Sequence, residues 1–350
     1  MRLSALLEHL AFAAALAVLS AIVVRLMIAF PILDHPNARS AHKRPTPRGG
    51  GLGVVLAFMA GMVVLYQVAV YARVAERQFL GVIVAAGAIA AVALTDDVRD
   101  LSARLRLAAQ ALAALVAVGS GLVVQRLAIP WVGEVELGWL GIGLTLVWIV
   151  GCTNAVNFMD GLDGLVGGTL LIASAALALI AALQGGWFVY AAALFLAAGF
   201  CGFLPFNLHP ARIFMGDVGS QFAGFMLAVL AVAASRFDGQ QLSFLIVPLL
   251  MFGLLFDAAF TLGRRALMGE RLAEGHRTHL YQLAQRSGVP VRAVAAVHWG
   301  FAVFHAGLAL VFLQLSPGLK PLVVVPAVAG QVVWLGYVLG RMKAAGVGWR

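Results

Sequence analysis

Residues 139–164 read WLGIGLTLVWIVGCTNAVNFMDGLDG. The stretch opens as an apolar segment and closes on Asn154, Asn157, Asp160 and Asp163, two asparagines and two aspartates at three-residue spacing. Its apolar part is long enough to cross a bilayer as a helix, which takes about 20 residues. The polar part then falls at a membrane edge, and a carboxylate near the bilayer core costs roughly 2.5–3.5 kcal/mol even on the mildest scale. On an unbroken helix, steps of three residues drift by about 60°, so the four side chains would not share a face. Gly161 and Gly164 favour a break, which lets the backbone itself line a site. Amide oxygens beside carboxylates suit a hard cation that keeps some of its water and bridges phosphates. The plainer reading is an amide-rich cap between two helices.

Working outward, the 350-residue chain is 62% hydrophobic and 11% charged, against roughly 25% charged in a soluble domain. Apolar runs of spanning length recur throughout. The expected fold is an all-α polytopic membrane protein, one integral domain over 1–350. About eleven transmembrane helices are expected, at 6–30, 50–72, 78–95, 105–124, 139–157, 162–183, 187–206, 218–235, 241–263, 293–315 and 321–340. The first run is too long for a cleavable signal peptide and lacks a small-residue cleavage site. Cys152 and Cys201 both fall in apolar segments and read as packing residues, not as a disulfide or a zinc site.

The net charge of +9 has no soluble basic stripe to carry it, which argues against a nucleic-acid partner. Its use is topological. If the spans alternate, 17 of the 24 Lys and Arg fall on one side. By the positive-inside rule that side is cytoplasmic, which puts the N-terminus outside, the C-terminus inside and every dense polar motif on the cytoplasmic face. Among the outer connections, residues 125–138 (QRLAIPWVGEVELG) suit a small hairpin.

Four more motifs share the inner side. TDDVRDL carries Asp96, Asp97 and Asp100; on a helix Asp96 and Asp100 lie within about 40°, with Asp97 about 100° from Asp96. Such an arc needs a cation, either Mg²⁺ or Arg99, Arg104 and Arg106, unless it is simply a solvated helix end. In FLPFNLHPARIFMGDVGS (203–220), Pro205 and Pro210 should break helicity and Asp217 should open the next span as its N-cap. A helix start can bind an anion, and Asp217 could alternatively hold a metal. Capping accounts for Asp217 but not for Asn207, His209, Arg212 and Phe214. GHRTHLYQ (275–282) offers His276, Arg277 and His279 as donors to phosphate, or merely marks the inner side. DHPNARSAHKRPTPRGGG (34–51) adds Arg39, His42, Lys43, Arg44 and Arg48, for which headgroup attraction is the plain reading. Asp257, two turns before Arg264 and Arg265, is expected to pair near the site. A hard-metal carboxylate and amide set ringed by cations suits two phosphate-bearing reactants, one a soluble nucleotide and one a lipid.

In this order the motifs resemble the polyprenyl-phosphate N-acetylhexosamine-1-phosphate transferase family, glycosyltransferase family 4. The resemblance implies transfer of a sugar 1-phosphate from a UDP-N-acetylhexosamine to undecaprenyl phosphate in the bacterial inner membrane, with Mg²⁺ (or Mn²⁺) and release of UMP. It also leaves room for a homodimer. Carried over by position, it implies Asn157 and Asp217 at the metal. Asp96, Asp97, Asp160 and His279 would be the catalytic set, with Asp96 the candidate acceptor of the lipid phosphate's proton. Asn154, Asp163, Asn207, Phe214, Arg104, Arg106 and Arg212 would contact the nucleotide sugar and its phosphates, Phe214 by stacking on uracil. The muramyl-pentapeptide branch carries adjacent histidines where this chain has HRTHLYQ, so the resemblance points to enzymes that start O-antigen or other surface polysaccharides. Two rivals stand beside it. A membrane prenyltransferase would use DDVRD for a Mg²⁺-diphosphate but needs a second motif of that form. An ion-coupled transporter would place its acids at mid-membrane, where only Asp257 lies.

Overall fold

The computed structural model describes residues 3–34, 45–68, 75–129, 133–236, 242–272, 275–316 and 318–349. The basic residues Arg39, His42, Lys43 and Arg44 lie outside the described residues.

Helices dominate. In chain order they are α1 (Leu3–Ala29), α2 (Gly51–Val68), α3 (Glu76–Arg99), α4 (Ala103–Gly119), α5 (Leu140–Met159), α6 (Leu165–Gln184), α7 (Trp187–Asn207), α8 (Gly216–Ala234), α9 (Ile246–Leu250), α10 (Phe252–Leu267), α11 (Leu280–Arg286), α12 (Val291–Gln314) and α13 (Val324–Ala345). Two short antiparallel ladders accompany them. β1 (Ile32–Asp34) pairs with β2 (Thr46–Arg48), and β3 (Arg126–Ile129) pairs with β4 (Gly133–Glu136). The second ladder is the hairpin expected within 125–138. Its directly opposed Arg126 and Glu136 form an ion pair at 3.2 Å, a stabilising cross-strand arrangement.

Among the described residues, nine helices are long and apolar enough to cross a membrane; the last runs Lys320–Ala345 and includes the short 3₁₀ turn before α13. Two of the eleven expected spans take other forms. The segment at 105–124 becomes α4, 17 residues that start with Arg104 and Arg106 in the first turns. The segment at 241–263 is split: α9 stops at Leu250 and α10 starts at Phe252. Pro248 sits inside α9 and Gly253 opens α10, and both residue types weaken a continuous helix.

Burial follows composition. α8 is apolar all round and is enclosed by its neighbours, with every residue from Val218 to Ala234 buried, as expected of a helix without a polar face. α3 and α5 flank it along its length, and α2 and α7 complete the surround. α1 keeps most of its apolar surface exposed, which suits contact with lipid. The start of α8 and the end of α5 therefore meet at one end of the bundle.

Candidate active site

The polar cluster at 154–163 spans a helix end. α5 stops at Met159, and residues 160–164 run non-helically before α6 starts at Leu165. The break required by the 60° drift is present. Within α5, Asn154 bonds to Gln110 of α4 and Asn157 to Asp217 and Ser220 of α8, while Asp160 and Asp163 lie beyond the helix end.

Asp217 is the hub. It lies in the first turn of α8, whose N-cap is Met215, so the expected N-cap role is corrected: Asp217 is one residue inside the helix. Its Oδ1 accepts from Asn157 Nδ2 at 2.9 Å. Its Oδ2 accepts from Gln221 Nε2 at 3.2 Å and from Arg106 Nη1 at 3.3 Å. The same Arg106 nitrogen donates to Asp96 Oδ2 at 2.9 Å, and Asp96 Oδ1 accepts from Leu101 N at 2.6 Å. One guanidinium nitrogen thus bridges carboxylates from α3 and α8, which is what lets like charges stand so close.

Asp97 explains why α8 needs no cap of its own. Its Oδ1 accepts from Asp217 N at 2.9 Å and its Oδ2 from Val218 N at 3.0 Å. The first N–H groups of a helix have no partner within it. Here a carboxylate from another helix takes two of them, at the positive end of the helix dipole. With both oxygens committed, Asp97 holds the turn that carries Asp217 in place.

A buried amide relay leads into this centre from the side. Asn154 Nδ2 donates to Gln110 Oε1 (2.6 Å), Gln110 Nε2 to Gln221 Oε1 (2.9 Å), and Gln221 in turn to Asp217. Asn157 Nδ2 also donates to Ser220 Oγ at 3.0 Å. Gln110, Gln221 and Ser220 were not among the residues expected from sequence. The signal was there: Gln110 stands alone in the apolar body of α4, and Ser220 and Gln221 follow Asp217 into the apolar α8, where polarity is expensive enough to need a purpose.

The remaining expected residues divide by place. Asp163 Oδ2 accepts from His209 Nδ1 at 2.7 Å and Ala211 N at 3.0 Å, bracing the loop after α7. Asn207 is buried, takes Gly164 N on Oδ1 and donates to Ile213 O, both at 3.0 Å. It ties the 160–164 break to the loop before α8. α7 runs on through Pro205 to Asn207, so only Pro210 lies at a helix boundary. Phe214 is half-buried, with its backbone bonded to Pro47 and Gly50. Arg104 and Arg212 are exposed at the rim.

His279 is buried, unlike the exposed Arg104 and Arg212. Its side chain is 3% exposed, and Nδ1 is 3.1 Å from Asp257 Oδ1. Asp257 therefore pairs with a histidine, while Arg264 and Arg265 turn to Glu270 at 3.1 and 3.0 Å. Burial first, and then the charges of His279 and Arg265, push His276 down to about 4, so it is neutral at physiological pH.

Asp160 is half-buried just past α5. Burial first, then the negative charges of Asp217, Asp97 and Asp163, push its carboxyl up to about 8. The folded protein then holds a proton that the unfolded chain releases near 3.8. Stability from this group is full below that value and is lost as pH rises through about 8. In excess chelator, the melting temperature is expected to fall as pH climbs from about 6 to about 9, and Asp160→Asn should flatten that slope. A slope unchanged in the variant would rule out Asp160 as its source.

The donor set can be tested for a metal. Asp217, Asp96, Asp160 and the amide of Asn157 are all oxygen donors, the preference of a hard cation. The Asn157 amide now turns its nitrogen to Asp217; a half-turn of the amide presents Oδ1 instead. Among the described residues no three His, Cys, Asp or Glu side chains form a metal-holding group by themselves. Mg²⁺ commonly uses one or two carboxylates with water and substrate phosphates, and Asp217 with Asn157 would supply the protein's share of such a set.

The family model described as Glycosyl transferase family 4 matches residues 79–235. That range runs from α3 through α8 and holds every site residue above except Asp257, His276 and His279. The chain is 32% identical over 277 residues to a Bacillus subtilis (strain 168) protein named probable undecaprenyl-phosphate N-acetylglucosaminyl 1-phosphate transferase, covering 79% of this chain and 75% of that one. It is 33% identical over 335 residues to the decaprenyl-phosphate N-acetylglucosaminephosphotransferase of Mycolicibacterium smegmatis, covering 88% and 82%. Similarity to the phospho-N-acetylmuramoyl-pentapeptide-transferase of Lacticaseibacillus paracasei is 38% but spans 144 residues, 41% of this chain and 44% of that one.

Proposed function

This chain belongs to glycosyl transferase family 4, and from that premise we propose that it transfers an N-acetylhexosamine 1-phosphate from a UDP-sugar to undecaprenyl phosphate, releasing UMP. UDP-N-acetylglucosamine is the first choice of donor, since the relatives similar over most of their length are named for N-acetylglucosamine. The carrying observation is the convergence of Asp96, Arg106, Asn157 and Asp217 at the junction of α3, α4, α5 and α8.

In the proposed reaction, an oxygen of the lipid phosphate attacks the sugar-bearing phosphorus of the nucleotide sugar. The new O–P bond forms as the bond to the bridging oxygen breaks, and UMP leaves with that oxygen and its electron pair. Mg²⁺, or Mn²⁺ in its place, held by Asp217 and Asn157, would supply charge neutralisation on the diphosphate. Arg106 sits between Asp96 and Asp217 and is placed to pass from them to a phosphate oxygen as substrate enters. Asp97 is committed to the backbone N–H groups of α8, whereas Asp96 Oδ2 would be freed once Arg106 passes to a phosphate, which makes Asp96 the candidate acceptor for a proton from the lipid phosphate. Asp160, Asp163, Asn207, Phe214, Arg104 and Arg212 frame the nucleotide side, and His279 the phosphate side. The excess of Lys and Arg on the side of these motifs supports a cytoplasmic site, an outer N-terminus and an inner C-terminus. The absence of adjacent histidines in HRTHLYQ supports a role in starting O-antigen or another surface polysaccharide over a peptidoglycan precursor.

Membranes carrying the protein, given labelled UDP-N-acetylglucosamine, undecaprenyl phosphate and Mg²⁺, are expected to form a lipid-linked product and UMP, and to stop in excess EDTA. If a panel of UDP-N-acetylhexosamines gave no lipid-linked product, the reading would be wrong.

A further inference from the structure

Asp257 is 1% exposed in α10, and a buried carboxylate is costly unless its oxygens are paired. Here they are saturated. Oδ1 accepts from His279 Nδ1 (3.1 Å), Leu280 N (2.9 Å) and Thr261 Oγ1 (3.2 Å), and Oδ2 accepts from Tyr281 N (3.0 Å). Two of these donors are the opening N–H groups of α11, so a carboxylate again caps a helix that is not its own. The imidazole is a different matter. A carboxylate that takes the Nδ1 proton fixes the ring's orientation and leaves Nε2 as its one other polar atom.

The same contacts reach the centre of the site. The His279 ring lies 5.8 Å from the Tyr281 ring and 6.2 Å from the Phe158 ring, centroid to centroid. Tyr281 Oη donates to Phe158 O at 3.1 Å. Gly161 passes so close to that hydroxyl that a Cβ there would overlap it. Phe158 stands between Asn157 and Asp160, so α11 is laced directly to the end of α5 that carries the proposed metal-side amide.

We propose that Asp257 is a positioning residue for phosphosugar transfer, acting through His279: it holds the imidazole and the start of α11 against the end of α5, with Nε2 turned to the substrate phosphates. This rests on the transferase reading above. The test uses the purified full-length enzyme with UDP-N-acetylglucosamine and undecaprenyl phosphate, and compares Asp257→Asn, His279→Ala and the double variant. Asparagine offers one acceptor oxygen where the carboxylate offers two, and turns an N–H₂ against the donor it should receive. kcat is expected to fall about 10–100-fold in Asp257→Asn, the usual loss for an outer partner of a site histidine. KM for the nucleotide sugar should stay within about threefold. The double variant should fall no further than His279→Ala alone, because residues that act as a unit are not additive.

Wild-type kcat in Asp257→Asn overturns the proposal, as does a double variant that loses the product of the two single factors. If Asp257→Asn does not accumulate in membranes, Thr261→Val removes only the hydroxyl given to Asp257. Its expected loss of about two- to fivefold must appear with His279 present and vanish in His279→Ala; an equal loss in both backgrounds overturns the proposal. A wild type that makes no lipid-linked product removes the transferase reading itself, and the inference with it.

Discussion

Asp217→Ala is expected to lower turnover at least about a thousandfold, the scale of several kcal/mol supplied by a group that holds a metal against a developing phosphate charge. The protein should nonetheless insert, purify and melt near the wild-type temperature, the lost acceptor of Gln221 Nε2 being offset by relieved repulsion among the carboxylates. Removing this carboxylate leaves Arg106 on Asp96 at 2.9 Å and Asn157 on Ser220 at 3.0 Å, and takes a partner only from Nε2 of the buried Gln221. It also takes one negative charge away from Asp96, Asp97 and Asp160, whose mutual repulsion the fold must otherwise hold. The pairing of lost activity with retained stability is the diagnostic result, measured as product formation beside thermal unfolding in detergent. Near-normal activity at millimolar Mg²⁺ would rule out the metal role.

Gly51→Val is expected to do the opposite and damage the fold first. Residues 47–51 are laced to the segment that leads into Asp217: Phe214 N donates to Pro47 O at 2.8 Å, Gly50 N to Phe214 O at 2.9 Å, and Gly51 N to Met215 O at 2.8 Å. A Cβ on Gly51 would overlap Gly219 Cα and N and stand 2.9 Å from Met215 O. All three are backbone atoms, so no side chain can swing away. Overpacking of this kind costs about 1–3 kcal/mol and more where the backbone must move. The variant should accumulate poorly, melt lower and lose activity, with Gly51→Ala intermediate. Wild-type melting in Gly51→Val would refute the close approach of α2 and α8.

Much of this was legible in the sequence because membrane constraints are one-dimensional. Nine of the eleven spans, the break between α5 and α6 at 160–164 and the 125–138 hairpin follow from local composition and period. The meeting of Asn157 with Asp217 was also legible, through the family's motifs. What escaped depends on which helices touch. Nothing local to TDDVRDL says that Asp97 spends both oxygens on the backbone of α8. Sequence placed Asp257 in a pairing near the site without naming the partner, which is His279, while the arginines two turns on find Glu270. Gln110 and Gln221 look like tolerated polar residues until α4, α5 and α8 bring their amides into one relay. The glycines of 49–51 read as a turn beside a basic, headgroup-seeking segment, and their contact with the start of α8 is invisible without the bundle.

Asp97 and Asp257 also bear on how the protein is made. Each completes the start of a helix that comes later in the chain, at residues 217–218 and 280–281 respectively. Chains are synthesised and fold from the N-terminus, so each carboxylate enters the nascent bundle before its partner exists. Until then it stands as an uncompensated polar group in an apolar setting, which is expensive. A nascent chain halted after residue 215 would therefore expose α3 as an unfinished helix to membrane quality control, whereas one halted after 236 would have docked it. For α3, docking against α8 and assembling the Asp96–Asp217 end of the site are the same step of biogenesis.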